Sequence, residues 1–229
     1  MTAPAIQPAL WLGLDWVDRV RPRHAWLTGR SYLIAKRAFD LTLVLITAPL
    51  WVPLLALCAA AVKIHDRSAP VMYRQQRAGQ GGRPFTMHKF RTMVPDAEEL
   101  KESLWHLNEL EWPDFKITND PRITRPGRIL RKLSLDELPQ LYDVLRGHMS
   151  LVGPRPTGAK AEDYALWQTE RLDVKPGVTG LWQLYGRATV LFDDRSRLDI
   201  AYVQRRCMWL DLQILVRTVP AVLAQRGAG

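Results

Sequence analysis

From Leu41 to Val62 the chain runs twenty-two residues without a charge, and no other feature narrows its fold as much. As a helix the run crosses roughly 30 Å of hydrocarbon, so it is read as a membrane segment. A signal peptide is the rival reading, but a long polar, basic and proline-containing stretch precedes the run and no clean small-residue cleavage site follows it. Pro49 and Pro53 lie mid-run. Each lacks an N–H and clashes with the carbonyl four residues back, so a bend is expected. Arg19, Arg21, Arg23, Arg30, Lys36 and Arg37 come before the run, and Lys63, Arg67, Arg74 and Arg77 after it. Positive charge stays on the cytoplasmic side, which places both ends on one face. A re-entrant helix broken at Pro49 and Pro53 satisfies bend and charges together; a tilted, kinked span is the alternative.

The length of 229 residues suits one compact domain with an appendage. With 47% apolar and 24% charged residues the chain is not disordered. Its net charge of +9 points to an anionic partner: nucleic acid, phosphates or acidic lipid. Cys58 and Cys207 lie far apart and form neither a disulfide framework nor a metal spacing, which fits a reducing compartment.

Trp11, Trp16 and Trp26 among arginines have the composition of a membrane interface, or of a loose tail. Val71–Gln75 and Arg83–Lys89 flank a glycine-rich turn and read as a β-hairpin. Pro95 opens a helical stretch to about Glu111, with acids in its first turn. Arg122, Arg125, Arg128, Arg131 and Lys132 then recur at helical spacing. Ser134 and Glu137 make a capping-box pattern ahead of apolar Leu138, Leu141, Val144 and Leu145, so a helix is expected to begin there. Two proline and glycine turns, 153–156 and 176–180, precede helices from about Asp193 to Arg206 and from about Leu210 to Ala224. The apolar face of the last helix suits either core or bilayer. The fold class is mainly α with a small β-hairpin, monotopic on a membrane, with interfacial amphipathic helices.

Asp136 and Glu137 are adjacent carboxylates behind a cluster of arginines. The plain structural reading makes Glu137 a cap, Asp136 a complement to the helix dipole and the arginines surface pairs worth little each. The functional reading is an anion pocket built by a helix N-terminus with Arg128, Arg131 and Lys132, with one carboxylate left to act on a bound phosphate. Neighbouring side chains on a helix diverge by about 100°, so the two carboxylates have different tasks.

Six motifs occur in order: Lys36-Arg37-Ala38-Phe39-Asp40; Lys89-Phe90-Arg91-Thr92-Met93; Ser134 to Leu141; Met149 to Pro156; Pro176 to Gln183; and Leu198-Asp199. In this series the chain, from about Lys36 to Leu223, resembles the monotopic bacterial sugar transferases, which are polyprenyl-phosphate phosphoglycosyl transferases. The resemblance implies transfer of a sugar 1-phosphate from a UDP-sugar to undecaprenyl phosphate with release of UMP. It makes Asp136 the nucleophile and Glu137 the holder of Mg²⁺, with Lys89, Arg131, Arg155, Arg187 and Asp199 as candidate substrate-binding residues. Residues 1–35, outside the resemblance, are read from their tryptophans and arginines as an interfacial segment; the resemblance implies a re-entrant membrane helix (36–66) and a catalytic domain (67–229) with a membrane-associated C-terminal helix. The catalytic domain then lies on the cytoplasmic face of the bacterial inner membrane. The chain departs from the family at Ala48, where serine commonly precedes the proline; Thr47, or a second break at Pro53, is expected to take over that serine's bond. Asp143 and His148 stand where Asn and Asp are expected. Nucleic acid is not an expected partner, since the cations interleave with the dyad and the proline turns and form no exposed basic arm. A non-catalytic basic membrane protein or a scaffold of glycan assembly is the rival, and the intact dyad argues against it. The sugar and the question of a homodimer stay open.

Overall fold

A computed structural model describes residues 15–18, 27–109, 115–185 and 191–223. Trp11, Trp26 and Arg187 lie outside the described residues.

The apolar run forms parts of two helices, α1 (Gly29–Ile46) and α2 (Ala48–His65), which meet at Thr47. Pro49 leaves the Leu45 carbonyl without its helical donor, yet falls in the first turn of α2, where a missing N–H is harmless. Two side chains secure the junction. Thr47 Oγ1 donates to the Leu43 carbonyl at 2.7 Å, and the Trp51 indole N–H donates to the Val44 carbonyl at 2.9 Å. Thr47 therefore makes a local bond beside Ala48, but to Leu43 and Val44 and not to the Leu45 carbonyl that Pro49 frees. Pro53 is not a second break: α2 continues through it, because losing a single backbone bond bends a long helix without ending it.

Both limbs return to the same globular domain. On α1, the Lys36 ammonium and the Tyr32 hydroxyl reach buried Asp211 at 3.1 and 2.9 Å. Arg37 caps the Val144 and Leu145 carbonyls, and Asp40 accepts from Ser150 Oγ at 2.7 Å. On α2, Cys58 and Val62 pack with Phe90 and Leu130, and Lys63 donates to the Ala69 carbonyl at 3.2 Å. Between these anchors Leu45, Ile46, Leu50 and Leu57 are 60–75% exposed. Among the described residues α2 is the one helix long and apolar enough to cross a bilayer.

Strands β1 (Met72–Ala78) and β2 (Pro84–Phe90) form the expected antiparallel hairpin, with Tyr73 opposite Lys89. Gly81 and Gly82 take left-handed φ values of 65° and 74° in its turn, which is why the turn is glycine-rich. The helix expected from Pro95 to about Glu111 is shorter, α3 (Glu99–Ser103), followed by a 3₁₀ turn at Trp105–Leu107. Helix α4 (Arg125–Lys132) starts at Thr124, whose hydroxyl accepts the Gly127 N–H at 3.1 Å. Arg122 precedes it and is buried against Asp120 at 2.6 Å, so it is not part of a cationic helix face. Helix α5 (Gln140–Arg146) follows.

The first proline and glycine turn, 153–156, follows β3 (Ser150–Val152), but the second, 176–180, is not a turn: Gly177–Thr179 form β4, which pairs in parallel with β3 because Gly153 and Gly177 let the backbones approach. A Cβ on Gly177 would fall 2.1 Å from the Gly153 nitrogen, so only glycine lets these backbones meet. Helices α6 (Leu181–Tyr185), α7 (Phe192–Arg205) and α8 (Met208–Leu223) complete the described residues. Val144, Met149, Val152, Leu198, Leu210 and Ile214 form the core around β3.

Candidate active site

The Ser134–Leu138 segment departs from the capping-box reading. Ser134 is left-handed at φ 55°, alone in this among the described non-glycine residues. No side-chain cap forms, and Leu135–Glu137 make a 3₁₀ turn ahead of α5. In a 3₁₀ turn residues three apart share a face. Leu135 and Leu138 pack beside α2 and Leu130, which turns Asp136 and Glu137 into a cleft of about 550 Å³. A left-handed non-glycine residue costs energy and tends to persist where surrounding structure needs it. Here it separates two leucines from two carboxylates.

Glu137 does not cap because stronger donors claim it. Arg155 grips its carboxylate with both terminal nitrogens, one at 2.9 Å from Oε2, and Lys89 Nζ donates to Oε1 at 3.3 Å. Burial would push the Glu137 carboxyl up, but Arg155 and then Lys89 outweigh it and hold the group far below the ordinary range. Asp136 is the opposite case. It accepts no hydrogen bond among the described residues, and burial, then the neighbouring Glu137 charge, raises its carboxyl. Two adjacent carboxylates are thereby split into a clamped anion and an unengaged one.

Seven cations and three carboxylates line the cleft, an imbalance that suits a polyanionic ligand. Lys89, Arg131 and Arg155 are among them, so three of the substrate-binding candidates do converge. Burial lowers Lys89 and Arg131, and Arg131 Nε is fixed on Thr92 Oγ1 at 2.9 Å. Arg187 falls outside the described residues. Asp199 is not in the lining: it is 1% exposed and paired with Arg171.

From the sequence Arg77 belongs to the flank of the apolar run and Arg171 has no assigned role, yet both bear on the site. Arg77, near the end of β1, lines the cleft beside Arg155 and is pushed down to about 10 by burial first and the Arg155 charge second. Arg171, 3% exposed, donates to the Arg155 carbonyl at 2.9 Å. Neither sits in a recognisable motif; the only signal is a lone arginine in an otherwise ordinary strand or turn. Asp143, unusual for the resemblance, is buried and accepts the His88 backbone N–H at 2.9 Å and faces its Nδ1 at 2.7 Å, which ties α5 to β2.

A cationic cleft built round two unlike carboxylates, on a chain with one described helix long and apolar enough to cross a bilayer, has the features of an enzyme that works at a membrane. A family model described as bacterial sugar transferase matches residues 31–225, and the chain belongs to that family of transferases. It is 43% identical over 211 residues to the undecaprenyl-phosphate galactose phosphotransferase of Salmonella typhimurium, covering 88% of this chain and 43% of the relative. It is 42% identical over 205 residues to the galactosyl transferase CpsE of Streptococcus agalactiae, covering 86% and 44%. With the exopolysaccharide production protein ExoY of Rhizobium meliloti it shares 41% over 200 residues, 85% of this chain and 88% of the relative. The chain spans less than half the length of the first two and most of the third.

Proposed function

We propose that the protein transfers a sugar 1-phosphate from a UDP-sugar to a polyprenyl phosphate such as undecaprenyl phosphate, in two steps through Asp136. The observation that carries this reading is the contrast within the dyad: Glu137 is clamped by Arg155 and Lys89, while Asp136 beside it accepts no hydrogen bond among the described residues. A carboxylate oxygen of Asp136 attacks the β-phosphorus of the UDP-sugar, and the bond from that phosphorus to the bridging oxygen breaks. UMP leaves with the electron pair, and the sugar phosphate stays on Asp136 as an acyl phosphate. An oxygen of the polyprenyl phosphate then attacks the same phosphorus, which frees Asp136 and yields the polyprenyl diphosphate sugar. Lys89, Arg77, Arg131 and Arg155 neutralise the phosphoryl oxygens in both steps, and prearranged charges need no reorganisation as the reaction proceeds. The names of relatives that act on undecaprenyl phosphate and UDP-galactose support the substrate classes.

Mg²⁺ fits this donor set only in company with substrate. Among the described residues no three His, Cys, Asp or Glu side chains gather as a metal cage, but Mg²⁺ is commonly held by one or two carboxylates plus substrate phosphates. Glu137 Oε2 accepts from Arg155 alone and has a lone pair to spare. Glu137 would hold the ion, which would supply further charge neutralisation at the diphosphate.

Purified protein incubated with a panel of UDP-sugars and no lipid acceptor is expected to release about one equivalent of UMP and then stop, and polyprenyl phosphate should restart turnover. Absence of the burst with every sugar would defeat the reading.

We further propose that α1 and α2 form a re-entrant pair in the cytoplasmic leaflet of the bacterial inner membrane, with the catalytic domain on the cytoplasmic face. The contacts of both limbs with one domain support it, as do the basic residues at both ends. Arg30→Cys and Arg67→Cys, both at exposed positions, should each be labelled by an impermeant maleimide in inside-out vesicles and spared in intact spheroplasts. Labelling of one position from each side would mean a full span.

A further inference from the structure

Asp199 belongs to the same row of motifs as the dyad but does not reach the cleft, which leaves its place in the site unexplained. It is 1% exposed on α7, and its Oδ2 is bound by Arg171 Nη2. That same nitrogen donates to the main-chain carbonyl of Arg155 at 2.9 Å. Arg171 Nη1 donates to the Tyr164 hydroxyl at 3.3 Å, and that hydroxyl bonds Thr157 Oγ1, two residues beyond Arg155. The Arg171 guanidinium lies 5.5 Å from the Tyr164 ring centre and 5.7 Å from that of Phe192. The segment that carries Arg155 is therefore held at its backbone and at Thr157 by one buried guanidinium assembly, with Pro154 and Pro156 stiffening the chain between.

We propose that Arg171 and Asp199 are a positioning pair that aims Arg155 into the cleft. This rests on the proposed transferase reading, in which Arg155 meets a phosphate. Arg171 is planar and carries several donors in a fixed fork, so it serves Asp199, the Arg155 carbonyl and Tyr164 at once; a lysine has no such fork. Asp199 keeps the fork in place, and the charges facing it are Arg171, Arg195 and Arg155. Burial pushes the Asp199 carboxyl up to about 6 against those three cations. As pH falls through that value the aspartate gains a proton and releases its hold on Arg171, so this pair should add its own component to the acid limb of turnover, which Asp199→Asn removes while the component set by Asp136 remains.

The test is a double-mutant cycle on the full chain in nanodiscs, read as UMP release with a UDP-sugar. Asp199→Asn is expected to lower kcat/KM by about tenfold when Arg155 is present and by less than about twofold in the Arg155→Ala background, since residues acting through one another are not additive. Arg171→Lys should behave like Asp199→Asn. Effects that multiply in the double variant would make Asp199 an independent contributor and overturn the proposal. A second readout needs no activity: hydrogen exchange in the peptide spanning 153–158 should quicken in Asp199→Asn while that of β2 does not. Unchanged exchange at 153–158 would also overturn it. A wild-type chain that releases no UMP with any UDP-sugar would instead defeat the transferase reading, and the exchange result would still decide the positioning pair.

Discussion

Asp136→Asn is expected to leave the protein folded and membrane-bound while UMP release falls by about 10⁴-fold or more, as the loss of a nucleophile does when no other group takes its place. The amide is nearly isosteric and Asp136 accepts no hydrogen bond among the described residues, so little structure depends on its charge. The raised carboxyl adds a second signature. Only the ionised form attacks, so kcat/KM should fall with decreasing pH from a point above the ordinary aspartate range. Asp136 and Glu137 titrate as a pair, and the profile reports the pair. Substantial UMP release by Asp136→Asn, in a membrane assay freed of endogenous transferases, would remove Asp136 as the nucleophile.

Glu137→Gln has the second largest expected effect, on activity and stability together. The amide presents its NH₂ to the same Arg155 and Lys89 donors that the carboxylate accepts from, leaving two cations partly buried without their anion. Removing one member of such a pair costs about 3 kcal/mol, visible as a lower thermal midpoint in nanodiscs. Turnover should fall by about 10²–10³-fold, the scale of a lost prearranged electrostatic contact. Because the folded Glu137 carboxyl lies below its unfolded value, its contribution to stability is complete above the unfolded value and is lost as pH falls through the folded one. Glu137→Gln should therefore flatten the acid side of the stability curve. A variant as stable and as active as the parent would mean that the Arg155–Lys89 clamp has no role in either.

Much of this was legible beforehand where structure is local. The hairpin followed from a glycine turn between alternating strands, and α7 and α8 from apolar positions at helical spacing, because these patterns depend on neighbours a few residues away. The capping box was a sound local reading that lost to distant partners: Ser134 went left-handed, and Glu137 found Arg155 eighteen residues on and Lys89 forty-eight residues back. The parallel pair β3 and β4 could not be read at all. Its strands are three residues each, too short for a period, and their meeting depends on two glycines far apart in sequence.

The sequence alone determined that an uncharged run of twenty-two residues is long and apolar enough for a bilayer, that prolines interrupt it, and that a carboxylate dyad sits among cations. Tertiary structure alone decided how the two carboxylates differ. Asp136 and Glu137 are neighbours with nearly the same chemistry, and their acidities separate only because folding brings Arg155 and Lys89 to one and leaves the other buried beside its charged neighbour. It likewise decided that the break falls at Thr47 and not at Pro53, through side-chain hydrogen bonds from Thr47 and Trp51 to the Leu43 and Val44 carbonyls in the last turn of α1. Charge placement and backbone satisfaction are sums over partners remote in sequence, and only the folded chain fixes those partners.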